Sequence, residues 1–158
     1  MKNAQYAYRE AAIRSASQVG LVIVMYDMVI EDLRRAVEAI QANDIEKRTG
    51  EVRHALSVLE QLQGTLNLET GGEAASNMDR WYSVARAKLL EGHLKVSAEI
   101  FRSQQDLFVE LRNAWQQAEQ VKLAEEGRPA VAGPGTLQSV VPLPNQGVEI
   151  GAAADWIA

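Results

Sequence analysis

The sequence contains no cysteine, which excludes disulfide bonds, thiolate metal sites and cysteine nucleophiles. It also lacks an apolar run near the roughly 20 residues that a membrane-spanning helix needs, because the longest run, residues 21–26, ends at Asp27. Charged side chains interrupt residues 1–14, so we expect no signal peptide there. The formal net charge of −5 argues against nucleic acid as the main partner. These absences predict a cytoplasmic protein that does not insert into a membrane.

Proline is missing from most of the chain. All four prolines and five of the eleven glycines lie beyond residue 126. Proline removes a backbone donor and clashes with the preceding helical turn, so a regular helix is not expected in that part. We therefore divide the chain into an N-terminal arm (1–16), a helical domain (17–126) and a flexible C-terminal extension (127–158). The extension has an apolar end, residues 148–157.

The domain of residues 17–126 carries apolar side chains at helical spacing in four successive segments. In the second segment they step by sevens and by alternating fours and threes, as in helices that pack nearly antiparallel. The predicted core positions of that segment are Ile45, Val52, Leu56, Leu59, Leu62 and Leu66. Four amphipathic helices joined by short connections predict an all-α fold, an antiparallel up-down four-helix bundle.

Polar and small residues predict where these helices begin and end. Ser15 and Ser17 are both suitable N-caps for a first helix over residues 17–42. Asn43 and Thr70 each precede a glutamate by three residues, the spacing of a capping box at the starts of the second and third helices. Gly92 is expected to end the third helix, and the fourth is expected to fade at residues 125–126.

Six consecutive apolar residues, 21–26, open the first helix. One amphipathic helix offers only about a 100° apolar stripe to a single core, so this run exceeds what one stripe can hide. The surplus is therefore either buried at the centre of the bundle or part of a groove that another segment fills.

Enzymatic and metal-binding alternatives find little support in the residues. Glu51 and His54 form one Glu-x-x-His, but a di-metal bundle needs this motif on two helices, and His93 follows Leu90 instead. His54 and His93 are both candidates for the surface histidine of a phosphotransfer bundle, but neither lies in a His-x-x-Lys-Gly setting. A charge run at Glu31, Asp32, Arg34 and Arg35 is interpreted as a solvated helix face. We predict neither an enzyme nor a cofactor, with a metal-binding or phosphotransfer bundle as the alternatives.

Several short motifs occur in a characteristic order. They are Tyr8, Ala-Ser at 16–17, Leu21, Met-Tyr-Asp at 25–27, Leu-Asn-Leu at 66–68, Gly-Gly-Glu at 71–73, Asn77, Trp-Tyr at 81–82 and Leu-Arg-Asn-Ala-Trp at 111–115. In this order, over residues 6–117, they resemble the FliS family of flagellar export chaperones. Two positions depart from the family pattern, since Gln18 replaces a proline and Gly20 replaces a charged or long residue.

The resemblance implies a cytoplasmic chaperone for the disordered C-terminal segment of flagellin. Such a chaperone prevents early polymerisation and delivers its client to the flagellar type III export apparatus, without a small-molecule substrate. The family's N-terminal arm covers an outer pocket when no client is bound. The residues that the resemblance implies for the arm, groove or client site are Tyr8, Ile13, Leu21, Met25, Tyr26, Asp27, Asn77 and Tyr82. A paralogue that serves another secreted protein is a further alternative.

Overall fold

The computed structural model describes residues 4–5, 17–127, 141–142 and 149–150. Four helices dominate this part of the chain: α1 (Gln18–Gln41), α2 (Ile45–Gly64), α3 (Gly72–Lys95) and α4 (Ala98–Glu126). Two two-residue strands, β1 (Val141–Pro142) and β2 (Glu149–Ile150), pair antiparallel after α4. The prediction of an all-α four-helix bundle is confirmed, whereas the arm residues Tyr8 and Ile13 lie outside the described residues.

The helices pack in a ring in chain order. Helix α1 packs most extensively, against α2 on one side and α4 on the other, while α3 packs less extensively against α2 and α4. The centre of α1 is therefore covered from two directions, which accounts for the four buried residues of its apolar run: Val22, Ile23, Met25 and Tyr26. The largest fully buried side chains come from all four helices: Tyr26, Tyr82, Phe101, Phe108, Ile23, Leu33, Leu59, Leu62, Met78, Leu89, Leu111 and Val29.

Capping agrees with the sequence at one helix start and differs at two others. The Ser17 hydroxyl accepts a hydrogen bond from the Gly20 amide at 2.8 Å and caps α1, so Ser17 is the cap of the two serines that the sequence offered. The N-cap of α2 is Asp44, not Asn43, because Asn43 takes a left-handed turn conformation with φ 53°. Helix α3 starts after Gly71 instead of Thr70. Turn geometry thus moved both helix starts by one residue from the capping boxes that spacing predicted.

Two further predictions about the bundle were wrong. Helix α3 continues past Gly92 to Lys95, and Val96, with φ 51°, provides its left-handed C-cap. Ile45, predicted to be core, is the first residue of α2 and is 65% exposed, because the seam becomes buried only further along the helix. Helix α4 ends at Glu126 as expected. In the part of the chain that the structure describes, no helix is long and apolar enough to cross a membrane.

Candidate functional site

The structure separates the residues predicted for the client site into buried and exposed groups. Tyr26 and Tyr82 are fully buried in the core, and Met25 is nearly so. Asp27 and Asn77 are partly exposed. Leu21, in the first turn of α1, is 44% exposed, a high value for a large apolar side chain. Among the described residues of this set, Leu21, Asp27 and Asn77 are accessible from outside the bundle.

The two tyrosines form a polar contact inside the core. Their hydroxyl oxygens are 2.5 Å apart, joining α1 to α3, and one hydroxyl donates to the other. Burial, followed by the effect of the neighbouring Tyr82, raises the pKa of Tyr26 well above its ordinary value, and burial likewise raises the pKa of Tyr82. Both phenols therefore stay neutral. Phe108 of α4 packs against Tyr26 and against Trp81, with ring centroids 5.9 and 5.0 Å apart, so α1, α3 and α4 meet in one aromatic cluster.

The outer face of α1 carries an apolar row of Leu21, Val24 and Met28, which we call the α1 row. Spacings of three and four residues place the three side chains on one face of the helix. Leu21 and Met28 are both 44% exposed and Val24 is half-buried. No charged residue interrupts the row itself, so it offers a continuous apolar strip to a partner.

An ion pair borders the other side of α1. The Arg112 guanidinium of α4 donates to both carboxylate oxygens of Asp27. Arg112 also donates to Gln116 at 3.0 Å, which holds the guanidinium along α4. Asp27 therefore fixes the contact between α1 and α4 and also presents a charge beside the α1 row.

A polar cluster joins α1 to α2 one turn beyond the row. Asp32 is only 1% exposed, so its interpretation as part of a solvated face was wrong. Its carboxylate lies 2.6 Å from Nδ1 of His54 and accepts from Arg35 at 2.9 Å, while Arg35 also pairs with Glu51 at 3.0 Å. Burial raises the pKa of Asp32 despite these partners.

This cluster also bears on the metal-binding alternative. Glu51 and His54, the Glu-x-x-His pair, each contact a different residue of α1, namely Arg35 and Asp32. Within the described ranges, no group of three or more histidine, cysteine, aspartate or glutamate side chains is arranged to hold a metal ion. The two residues act here as cross-links between α1 and α2.

A second exposed apolar surface, which we did not infer from the sequence, lies on α3. Val84, Leu90 and Leu94 are all exposed, Leu94 by 80%. They are separated by six and four residues, which places them within one third of the helix circumference. This spacing is a signal that could have revealed the surface, but the stronger core pattern of α3 obscured it.

The chain is similar to known proteins over most of the bundle. A family model described as "Flagellar protein FliS" matches residues 1–122, more than three quarters of the chain. The chain belongs to the FliS family. The match covers α1 to α3 and most of α4, so the complete ring of helices belongs to the family and the extension after α4 lies beyond the match.

Curated FliS relatives come from distant bacteria. The flagellar secretion chaperone FliS of Bacillus subtilis is 23% identical over 118 residues, 75% of this chain and 87% of the relative. FliSB of Pseudomonas aeruginosa is 26% identical over 115 residues, covering 73% and 91%. FliS of Salmonella typhimurium is 26% identical over 120 residues, covering 75% and 89%. The FliS relatives are chaperones by name, and chaperones are not a class of enzyme.

Proposed function

We propose that the protein is a cytoplasmic chaperone that binds the C-terminal segment of flagellin, prevents its early polymerisation and delivers it to the flagellar export apparatus. Membership of the FliS family and the names of the curated relatives, flagellar secretion chaperones, support this function. The observation that carries it is the α1 row, where large apolar side chains lie exposed on the outside of a complete bundle.

The chemistry of the client follows from the shape of this surface. A disordered segment that folds on binding must offset its ordering entropy, so it needs an extended apolar contact more than a few ion pairs. An amphipathic helix placed along α1 would cover Leu21 and Met28 with its own apolar face. Asp27 supplies a polar contact at the edge, and Asn77, on α3, would contact a client that continues around the bundle. Tyr26, Tyr82 and Met25 support the site from below, because they fix the position of α1 from within the core.

Titration of the purified protein with the C-terminal segment of flagellin from the same organism tests the proposal. We expect saturable binding by calorimetry and no binding of a flagellin fragment that lacks this segment. Leu21→Arg should weaken binding by about tenfold or more, as expected for a residue at the centre of an interface. Gln41→Arg, which adds the same charge at an exposed position at the other end of α1, is the matched control and should bind like the wild type.

Two results would reject the proposal. Failure of the folded protein to bind any flagellin segment would exclude flagellin as the client and favour a paralogue that serves another secreted protein. Equal loss of binding in the Leu21 and Gln41 variants would show that charge, and not the α1 row, governs the interaction.

A further inference from the structure

The chain beyond α4 returns to the bundle. Strand β1 lies beside α4, and β2 pairs with β1 in antiparallel orientation. This part of the sequence lies outside the family match, which ends at residue 122. Whatever the segment does is therefore not a property carried by the matched family domain.

The length of chain after α4 allows this return. The Ser17 hydroxyl donates to Glu119 at 2.7 Å, so the start of α1 and the end of α4 meet at one end of the bundle. Fourteen peptide steps separate Gly127 from Val141, which span at most about 50 Å. Helix α4 is about 43 Å long. Strand β1 can therefore lie next to any turn of α4.

One flank of α4 is suited to receive an apolar segment. Leu107, Ala114, Ala118 and Val121, which we call the α4 row, repeat at seven, four and three residues and so share one face. The first three are half-buried and Val121 is 39% exposed. Arg112 and Glu119 contact α1, and helical spacing places the α4 row on the opposite flank, toward α3.

The surface between the α4 row and Trp81 of α3, which we call the α3–α4 groove, is apolar. Trp81 is only partly buried, although its ring packs edge-on against Phe108. Helices α3 and α4 also pack less extensively than α1 does with its neighbours. Residues 128–158 contain only three charged side chains, Arg128, Glu149 and Asp155, so an apolar groove is a better match for them than a charged surface.

We propose that residues 141–158 dock in cis in the α3–α4 groove, against the α4 row. A tethered segment experiences its site at an effective concentration of about 1 mM, so a weak intrinsic affinity suffices. Asn77 lies one turn before Trp81 on the same flank of α3. The docked segment therefore covers one residue of the proposed client site. This consequence, unlike the docking itself, rests on the proposed function.

Paramagnetic labelling of the full chain tests the docking without any client. The sequence has no cysteine, so Ala153→Cys carries a single nitroxide. The label should broaden the amide signals around Ala118 and leave the exposed α2 residue Ser57 sharp. Ala118→Arg should abolish this broadening, whereas Gln120→Arg, an exposed position of the same helix, should preserve it. Equal signals at residues 57 and 118, broadening that persists in the Ala118 variant, or broadening that disappears on dilution would overturn docking in cis.

A binding measurement tests the consequence separately. Trp156→Asp combined with Ile157→Asp in the full chain should prevent docking and leave the groove uncovered. The affinity for the flagellin segment should then increase about threefold or more. Unchanged affinity would overturn the competition. If the label shows docking but the flagellin segment does not bind at all, the proposed function fails and the docking stands. If flagellin binds but the label shows no docking, the inference fails and the proposed function stands.

Discussion

Gly92 of α3 lies against the ring of Phe101 in α4, so closely that a β-carbon at position 92 would be 2.8 Å from Cε1 of that ring. It would also be 3.1 Å from Cγ2 of Ile100. The glycine is therefore present for close packing at the tight turn between α3 and α4. It does not end its helix.

The contact between Gly92 and Phe101 predicts that alanine has opposite effects on stability at Gly92 and at Gly50. Gly92→Ala should destabilise the protein by about 1–3 kcal/mol through overpacking, which exceeds the gain of at most about 1 kcal/mol in helix propensity. Gly50→Ala is the matched control, because position 50 is helical and a β-carbon there meets nothing within 4 Å. It should stabilise the protein by up to about 1 kcal/mol. Urea unfolding of both variants measures the difference, and stabilisation by both substitutions would contradict the packing argument.

Gly92 also shows how much of this fold the sequence predicts. Periodicity predicted four helices and their order, because burial of one face per helix repeats over many residues. Helix ends depend on one or two residues, and there Asn43 and Gly92 misled the prediction. Asn43 turns the chain with a positive φ and leaves the cap to Asp44, while Gly92 is required by a residue from the next helix. Periodicity within one segment contains neither kind of information.

The candidate site was predicted in part for a related reason. Within residues 21–26 every side chain is apolar, so the sequence could not separate core from surface. In the structure, α2 and α4 cover α1 from two sides and leave Leu21 exposed, with Val24 half-buried. The burial of Asp32 was also missed, because its partners Arg35 and His54 lie on two helices. Only the packing of α1 on α2 brings them together.

The tyrosine pair predicts a non-additive effect on stability. Tyr26→Phe or Tyr82→Phe alone leaves one buried hydroxyl without its tyrosine partner, which costs about 1–3 kcal/mol. The double variant removes both hydroxyls and should cost less than the sum of the single changes. Chemical denaturation of the four proteins completes the cycle. Strict additivity would show that the 2.5 Å contact contributes no coupling between α1 and α3.

Alanine substitutions within the apolar run should separate folding from binding. Tyr26→Ala should cost about 3–5 kcal/mol of folding stability, because it removes a fully buried aromatic ring. Leu21→Ala should change the free energy of unfolding by less than about 0.5 kcal/mol and weaken binding of the flagellin segment by about tenfold. Met25→Ala, nearly buried, should resemble Tyr26. Thermal unfolding and calorimetry on the same samples test this division, and three variants that only destabilise would place the client surface elsewhere.

Two carboxylates should give pH dependences of opposite sign. The pKa of Asp32 is raised by burial, so the folded state binds its proton more tightly, and its contribution to stability decreases as pH rises through the folded pKa. Lys95 and Lys88 lower the pKa of Glu91 to about 2, so its contribution is present above the ordinary value and is lost as pH falls. Between pH 7 and 3, the wild type should gain stability relative to Asp32→Asn and lose it relative to Glu91→Gln. Urea titrations across this range measure both slopes; the same sign for both would mean that Arg35 and His54 outweigh the burial of Asp32.

Deletion of residues 128–158 should leave the bundle folded. The last side chain in the buried core is Trp115, and the remaining residues of α4 are partly or fully exposed, so the deletion removes no core residue that the structure describes. A segment docked in cis with an occupancy ratio of up to about ten stabilises the bundle by at most about 1.4 kcal/mol. Calorimetry should therefore show one cooperative transition in residues 1–127, at a midpoint lowered by no more than about 8 °C. The full-length Trp156→Asp, Ile157→Asp variant is the control and should show the same small decrease. A broad, non-cooperative transition after deletion would mean that the extension completes the core, which would reject both the bundle boundary at residue 126 and docking as a reversible contact.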